Sequence, residues 1–231
     1  MTRSILTLVL FGTVSVFAVA QSTTLDTFNE PHSGTPFPVS LIPPGDTTPH
    51  WIMGTGLRQR TILKVKIYAF GLYVDPESAR ASLSRFAGLP ASTLMRDESF
   101  YRHLLDLDFA MTLRLVMTRT VNGADVAEAF DDALRPRMTR AMIDANNFGD
   151  LAALEKFREY LDVDEVRTGT EIVFSCGPAG RLATSVGGDE RPPIDSRALC
   201  RALFDVYLGE DPISDDGKRS IIAGLHGLVE G

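Results

Sequence analysis

The stretch GTGLRQRTILKVKIYAFGLYVD, residues 54–75, contains the longest strand that the sequence predicts. Apolar and aromatic residues dominate between positions 62 and 74, a run typical of a buried strand. Because side chains alternate between the two faces of a strand, each face can be considered separately. The odd positions form one continuous apolar face (Leu63, Val65, Ile67 and Ala69). The even positions begin with two lysines and continue with Tyr68, so the second face is expected to pass from solvent to covered at that tyrosine.

Arg58 and Tyr68 are the candidate binding residues of this stretch. If residues 51–60 pair with the long strand as a hairpin, the two side chains can meet. A guanidinium and a phenol that face one apolar cleft would bind a carboxylate or an enolate oxygen through charge-assisted hydrogen bonds. The alternative is an arginine that extends to solvent at a sheet edge beside a packed tyrosine. The residues alone favour this second interpretation.

The rest of the chain predicts an α+β fold in which helices are layered on one face of a mainly antiparallel sheet. Besides residues 51–60 and 62–74, strands are expected at 39–42 and 107–117 and in a hairpin over 169–187. Helices are expected from residue 76, over 92–105, from Asn122 onwards with a bend or break at Pro136, and over 149–161, 195–208 and 215–229. No linker divides the chain, so residues 21–231 are predicted to form a single domain.

The first 20 residues have the pattern of a secretory signal peptide. Arg3 precedes an apolar run from residue 5 to residue 17, and Ala18-Val19-Ala20 forms a small-x-small cleavage site. A membrane anchor is the alternative, but the run is short for a bilayer span. The prediction is therefore a secreted or lumenal protein that has no membrane span after removal of the leader. If the leader is the first part of a two-part plastid targeting signal, the protein would be located in a plastid.

Charge and sequence motifs exclude several classes of function. The formal net charge of −7 becomes one unit more negative without Arg3, and no run of basic residues is present, which argues against nucleic-acid partners. The chain has no nucleophile elbow, phosphate-binding loop, zinc-protease motif or dinucleotide fingerprint. The histidines have no ligand spacing and are interpreted as surface or capping residues (His32, His50, His103 and His226). No metal or cofactor is predicted.

Cys176 and Cys200 are the two cysteines of the chain. In an oxidising compartment such a pair can form a disulfide, provided that the fold brings the two Cα atoms close together. Two buried free thiols are the alternative. The sequence leaves both open.

Five segments of the sequence resemble the chalcone isomerase superfamily, and most closely its fatty-acid-binding-protein branch. They are G-x-G-x-R at 54–58, KIYAFGLYVD at 66–75, VNGADVAEAFDDAL at 121–134, GTEIVFSCGPAGRLATSVGG at 169–188 and ALFDVYLGEDPISDDGK at 202–218. The resemblance covers roughly residues 28–230. It implies an open-faced β-sandwich with helices over one face.

The resemblance also implies what the site does. The arginine of the family falls on Arg58, and Tyr68 is the residue that the fatty-acid-binding branch has at its position. Three polar positions of the isomerases fall on Val126, Ala133 and Val206, so the pocket has lost the groups that orient a polyphenol. The implied function is therefore non-catalytic binding of a fatty acid or a similar apolar carboxylate, held by Arg58 and Tyr68. The alternatives are an intramolecular lyase or isomerase that uses Arg58 to stabilise an enolate, and a structural protein without a ligand.

Overall fold

The computed structural model describes residues 26–60, 65–144 and 150–231. The predicted signal peptide at residues 1–20 lies outside this range. So do residues 62–64 at the start of the predicted long strand and residue 149 at the start of a predicted helix.

The strands make one large sheet and two small ones. In chain order they are β1 (Thr27–Asn29), β2 (Pro36–Pro38), β3 (Ser40–Leu41), β4 (His50–Arg60), β5 (Val65–Val74), β6 (Met111–Met117), β7 (Val121–Asn122), β8 (Glu165–Val166), β9 (Glu171–Cys176), β10 (Arg181–Val186) and β11 (Asp189–Asp195). The large sheet has seven strands in the order β11-β10-β9-β6-β5-β4-β3, and every neighbouring pair is antiparallel. Strands β1 and β2 pair with each other, as do β7 and β8.

The helices cover one face of this sheet. They are α1 (Pro76–Leu83), α2 (Ala91–Leu94), α3 (Glu98–Leu105), α4 (Gly123–Asp144), α5 (Leu151–Leu161), α6 (Arg197–Leu208) and α7 (Asp215–Glu230), with a 3-10 turn at Ser84–Phe86. Helix α7 lies along β4, and α4 packs on both α5 and α6. The predicted antiparallel α+β architecture is therefore confirmed. No helix within the described residues is long and apolar enough to cross a bilayer.

The main core lies on the even face of β5, although the odd positions look apolar in sequence. Phe70 pairs with Leu115 and Leu72 pairs with Leu113, so the register aligns the even positions of β5 with the apolar face of β6. The odd position Tyr73 pairs with Thr112 on the polar face of β6 instead. The odd face buries a smaller cluster, whose members are Phe37, Leu57, Ala69 and Tyr73. The segment that contains β2 thus covers the sheet on the side opposite the helices.

The two glycines that flank Thr55 allow α7 to approach β4. A Cβ atom at Gly54 would lie 2.5 Å from the backbone nitrogen of Ile221, and one at Gly56 would lie 2.6 Å from Cα of Gly217. The backbones meet without intervening side chains, and the Thr55 N–H donates to Ser220 Oγ at 3.2 Å. The G-x-G pattern therefore serves the packing of a helix on a strand.

The closing segment ties α6 to α7. Ser214 caps α7 by accepting a hydrogen bond from the Gly217 N–H at 3.2 Å. Lys218 is buried, and its ammonium donates to the carbonyl oxygen of Gly209, the residue after α6, at 2.6 Å. The same ammonium lies 3.8 Å from the ring centroid of Tyr101. Burial lowers the pKa of this lysine, while Asp215, Asp205 and Glu210 oppose that effect.

Several predicted boundaries were wrong. The helix expected over 92–105 is two helices, α2 and α3. The strand expected over 107–117 begins at Met111, because Leu107 has a left-handed backbone with φ of 57°. Helix α4 continues through Pro136 without ending there. Proline has no N–H to donate to the carbonyl oxygen of Asp132, four residues earlier, but Asp132 is exposed and water can replace that bond. Strand β11 was not expected because it contains Pro192 and Pro193, which an edge strand tolerates.

Candidate functional site

Arg58 and Tyr68 face each other across two neighbouring strands. They are directly opposite partners in the register of β4 and β5, which places their side chains on the same face of the sheet. This is the face that carries Phe70 and the helix layer. The register shifts immediately after Arg58, so an irregularity in the strand pairing adjoins the site. Both residues are partly buried.

Tyr207 completes the group from the helix side. Its hydroxyl lies 3.0 Å from the hydroxyl of Tyr68, within hydrogen-bond distance, and its side chain is fully buried. Its ring meets Phe70 edge-on at a centroid distance of 4.9 Å. The packing of α6 on the sheet therefore brings two phenols together beside one guanidinium.

The electrostatics keep both phenols neutral. Burial raises the pKa of Tyr207 well above its ordinary value of 10.0, and the adjacent Tyr68 raises it further. Burial also raises the pKa of Tyr68, against the opposing effects of the Tyr207 hydrogen bond and the Arg58 charge. The site thus contains one cation and two neutral O–H donors. Such a group is complementary to a ligand that only accepts hydrogen bonds.

A disulfide connects α6 to the sheet. Cys176 at the end of β9 and Cys200 in α6 are bonded, with their Cα atoms 6.1 Å apart. Cys200 precedes Tyr207 by about two helical turns, so both residues project from the same side of α6. The cross-link therefore holds the helix that supplies Tyr207 against the sheet that supplies Arg58 and Tyr68.

The three positions expected to line the pocket lie in the helix layer. Val126 on α4 and Val206 on α6 are buried in the core cluster against which Tyr68 packs. Ala133 is partly buried on α4 and packs against that cluster. All three are thus on the side of the sheet toward which Arg58 and Tyr68 point.

Two surface clefts lie away from this group. A cleft of about 370 Å³ is bounded by α3, α4 and α6 and includes Tyr101, Arg137 and Asp205. A second cleft, of about 420 Å³, lies on the opposite face of the sheet and includes Ile42 and Arg114. Neither has Arg58 or Tyr68 in its lining, and the hydroxyl of Tyr68 contacts that of Tyr207 instead.

His50 differs from the expected surface or capping role. It is fully buried, and its Nδ1 lies 2.8 Å from the hydroxyl of Thr112. Thr112 in turn donates to the hydroxyl of Ser175 at 2.9 Å. This network lies on the face of the sheet opposite the helices, away from Arg58. Across the described ranges, histidines, cysteines and acidic residues form no group that could hold a metal ion.

Tyr207 is the member of the group that the sequence did not identify. It follows Val206 in the segment that carries the family resemblance. The apolar spacing of α6 indicates that Tyr207 is buried, since Leu199, Leu203 and Tyr207 recur at helical intervals. The spacing does not indicate that it meets Tyr68, because 139 residues separate the two tyrosines.

Comparison with known proteins agrees with this architecture. Residues 48–222 match the family described as chalcone isomerase like. The chain is 33% identical over 210 residues to fatty-acid-binding protein 2 of Arabidopsis thaliana, covering 87% of this chain and 51% of that relative, and thus spans about half of the relative's length. It is 30% identical over 210 residues to a chalcone–flavanone isomerase of Oryza sativa subsp. japonica, covering 85% and 88% of the two chains.

A solved structure shows the same fold. The crystal structure of an Arabidopsis thaliana fatty-acid binding protein superimposes with a TM-score of 0.74 at 26% identity, covering 88% of this chain and 99% of that one. The relatives include both binding proteins and isomerases, and the family match extends over most of the described sheet and helices. The chain therefore belongs to the chalcone isomerase-like family.

Proposed function

We propose that this protein binds a fatty acid or a similar apolar carboxylate, with Arg58, Tyr68 and Tyr207 as the residues that hold the carboxylate. The observation that carries the proposal is the convergence of one guanidinium and two neutral phenols on the helix face of the sheet. A carboxylate only accepts hydrogen bonds, so it could receive donors from all three side chains. In the structure one of the two hydroxyls must accept from the other.

The surroundings of this group support an apolar ligand. Phe70, Val126 and Val206 are buried on the same side of the sheet and supply no hydrogen-bonding side chain. Burial of an acyl chain there would contribute about 0.8 kcal/mol per methylene. To enter this region, the ligand would have to break the Tyr68–Tyr207 hydrogen bond and displace the side chains that pack around it.

The relatives of this chain include both fatty-acid-binding proteins and isomerases. Two fatty-acid-binding proteins of Arabidopsis thaliana match this chain at 33% and 28% identity, and the similar solved structure is also a fatty-acid binding protein. A chalcone–flavanone isomerase matches at 30%. Val126, Ala133 and Val206 are apolar where the family resemblance places the polar side chains of the isomerases. We therefore favour binding over catalysis.

We also propose an oxidising compartment for the mature protein, reached through the secretory pathway or a plastid address. The predicted signal peptide and the bonded pair Cys176–Cys200 support this location, since structural disulfides persist mainly outside the cytosol.

A titration of laurate into residues 21–231, the chain predicted to remain after leader removal, tests the binding proposal. Removal of a charged hydrogen-bond partner costs about 1.5–3 kcal/mol, so Arg58→Ala should weaken binding by roughly 10- to 150-fold. Arg60→Ala, at an exposed position two residues away in β4, is the matched control and should bind like the unmutated protein. Equal affinity of all three proteins would contradict the assignment of Arg58. Turnover of a chalcone that is lost in Arg58→Ala would favour the isomerase instead.

A further inference from the structure

The surface cleft of about 370 Å³ between α3, α4 and α6 has arginines from all three helices in its lining. We refer to it as the helix cleft. Its basic residues are Arg102, Arg137, Arg140 and Arg201, and the acids of its described lining are Glu98, Asp205 and Glu210. In the whole chain acids outnumber lysines and arginines by 30 to 23, so this balance of charge is local to the cleft.

The helix cleft has an apolar bottom and a basic rim. Helix α6 packs on both α3 and α4. One small or apolar residue of each helix lines the cleft and is itself buried: Leu105, Ala141 and Ala202. Arg102 of α3 and Arg140 of α4 are exposed, so they stand at the rim on two different helices. The cleft therefore presents guanidinium groups from separate helices around an apolar centre.

Arg137 and Asp205 neutralise each other. The Nε atom of Arg137 lies 3.0 Å from Oδ2 of Asp205. Its Nη1 donates to the Ala133 carbonyl oxygen at 2.9 Å, and its Nη2 donates to the Asp211 carbonyl oxygen at 2.7 Å. Arg137 thus fixes α4 against α6 and the segment that follows α6, and its donors are already occupied.

Glu210 is compensated by a buried cation. The ammonium of Lys218 donates to the carbonyl oxygen of Gly209, the residue before Glu210. The charge of Glu210 opposes the effect of burial on the pKa of this lysine, so the two groups attract each other. Of the acids in the described lining, Glu98 then remains. Arg201 uses Nη1 for a contact of 3.3 Å with Asp106 and keeps its other donors.

We propose that the helix cleft binds a small aliphatic dicarboxylate. Guanidinium groups hold carboxylates through paired, charge-assisted hydrogen bonds, and arginines on separate helices can each receive one end of such a ligand. The buried Leu105, Ala141 and Ala202 can contact the methylenes between the two carboxylates. The volume of about 370 Å³ lies within the range of small-molecule sites. Arg58 is not part of this lining, so the cleft is distinct from the carboxylate site proposed above.

The other surface cleft, of about 420 Å³, has the opposite charge. Its described lining contains Arg114 as its base and Asp46, Glu171 and Glu190 as its acids. Arg114 is moreover paired with Glu171, at 2.5 Å between Nη2 and Oε1. A dianionic ligand is therefore expected in the helix cleft and not in this one.

The test is a titration of adipate into residues 21–231, a range that contains every described element, followed by amide NMR spectra. The amide signals of Ala141 and Ala202 should shift in a saturable manner, and that of Tyr68 should not. Hexanoate has the same number of carbon atoms but one carboxylate, so it should bind in this cleft at least about fivefold more weakly than adipate.

The matched variants are Arg102→Gln and Arg96→Gln, because both arginines are exposed and only Arg102 lines the cleft. Arg102→Gln should weaken adipate binding at least about fivefold. Arg96→Gln removes the same charge outside the cleft and should leave the affinity unchanged. The proposal is overturned if adipate causes no saturable shift, or if the shifts centre on Tyr68. It is also overturned if both variants weaken binding equally, or if hexanoate binds in the cleft as tightly as adipate.

Discussion

The hydroxyls of Tyr68 and Tyr207 lie 3.0 Å apart, one on a strand and the other on a helix 139 residues later in the chain. Tyr207 is fully buried, and its hydroxyl forms a hydrogen bond with that of Tyr68. Arg58 is the cross-strand partner of Tyr68. This hydrogen bond therefore links the sheet and helix sides of the proposed carboxylate site.

Removal of one hydroxyl at a time should expose the coupling between the two tyrosines. Tyr68→Phe leaves the buried Tyr207 hydroxyl without its partner and should lower the free energy of unfolding by about 1–2 kcal/mol. Tyr207→Phe should also be destabilising. The double variant should lose less than the sum of the two single losses, because it leaves neither hydroxyl unpaired. Urea denaturation of the four proteins measures these values, and strictly additive losses would argue against a hydrogen bond between them.

The disulfide should contribute substantially to stability. The sequence separation of 24 residues between Cys176 and Cys200 corresponds to a loop-closure contribution of about 3 kcal/mol. Reduction should lower the free energy of unfolding by about this amount in the unmutated protein. The same reductant should have no effect on the variant with alanine at both positions. A reductant effect of equal size in both proteins would show that the cross-link is not responsible.

The contact between α7 and β4 predicts opposite effects for two glycines of one helix. A Cβ at Gly224 would overlap the carbonyl oxygen of Met53, so Gly224→Ala must force the helix away from the strand. Gly227 has open space around it, and Gly227→Ala should stabilise the helix by about 0.5–1 kcal/mol. Thermal unfolding distinguishes the two. A stabilising effect of Gly224→Ala would mean that α7 does not lie this close to β4.

His50 should make stability depend on pH in a defined window. Burial lowers its pKa below the ordinary value of 6.5, and Asp46 and Asp75 oppose this effect. The unfolded chain therefore takes up a proton first as the pH falls, so this contribution to stability is present above about pH 6.5 and is lost below it. One proton gives a slope of at most about 1.4 kcal/mol per pH unit.

The variant His50→Asn checks that assignment. It should be less stable at neutral pH, because the buried contact with Thr112 changes, but its stability should vary less between pH 7 and pH 5. The pKa values of the Glu30, Asp46 and Asp97 carboxylates are lowered, so their contributions to folding stability are lost at more acidic pH than that of His50. An unchanged slope in His50→Asn would assign the pH dependence to other groups.

The sequence predicted those parts of the fold that depend on local pattern. Alternation in β6 and the turn between β9 and β10 predicted antiparallel strands, and the predicted hairpin of β4 and β5 is present, with Arg58 and Tyr68 as register partners. Strand β11 was missed because Pro192 and Pro193 suggest a loop, and only its position at the sheet edge permits pairing. The buried state of His50 was missed because its hydrogen-bond partner Thr112 lies 62 residues later in the sequence.

The site was predicted in part for the same reason. The register of two adjacent strands is encoded locally, so the pairing of β4 with β5, which makes Arg58 and Tyr68 neighbours, could be predicted from residues 54–75. Their role as binding residues came from the family resemblance and stays a proposal. The contribution of Tyr207 depends on how α6 packs against the sheet, which no local pattern specifies. Its role in holding the carboxylate is a proposal that rests on the 3.0 Å contact with Tyr68.

Native mass spectrometry of residues 21–231 after incubation with a mixture of fatty acids tests whether this protein holds an apolar carboxylate through Arg58. The unmutated protein and Arg60→Ala should each carry a mass excess equal to one fatty acid, and Arg58→Ala should carry none while remaining folded. No mass excess in the unmutated protein, or the same excess in Arg58→Ala, would contradict the proposed site.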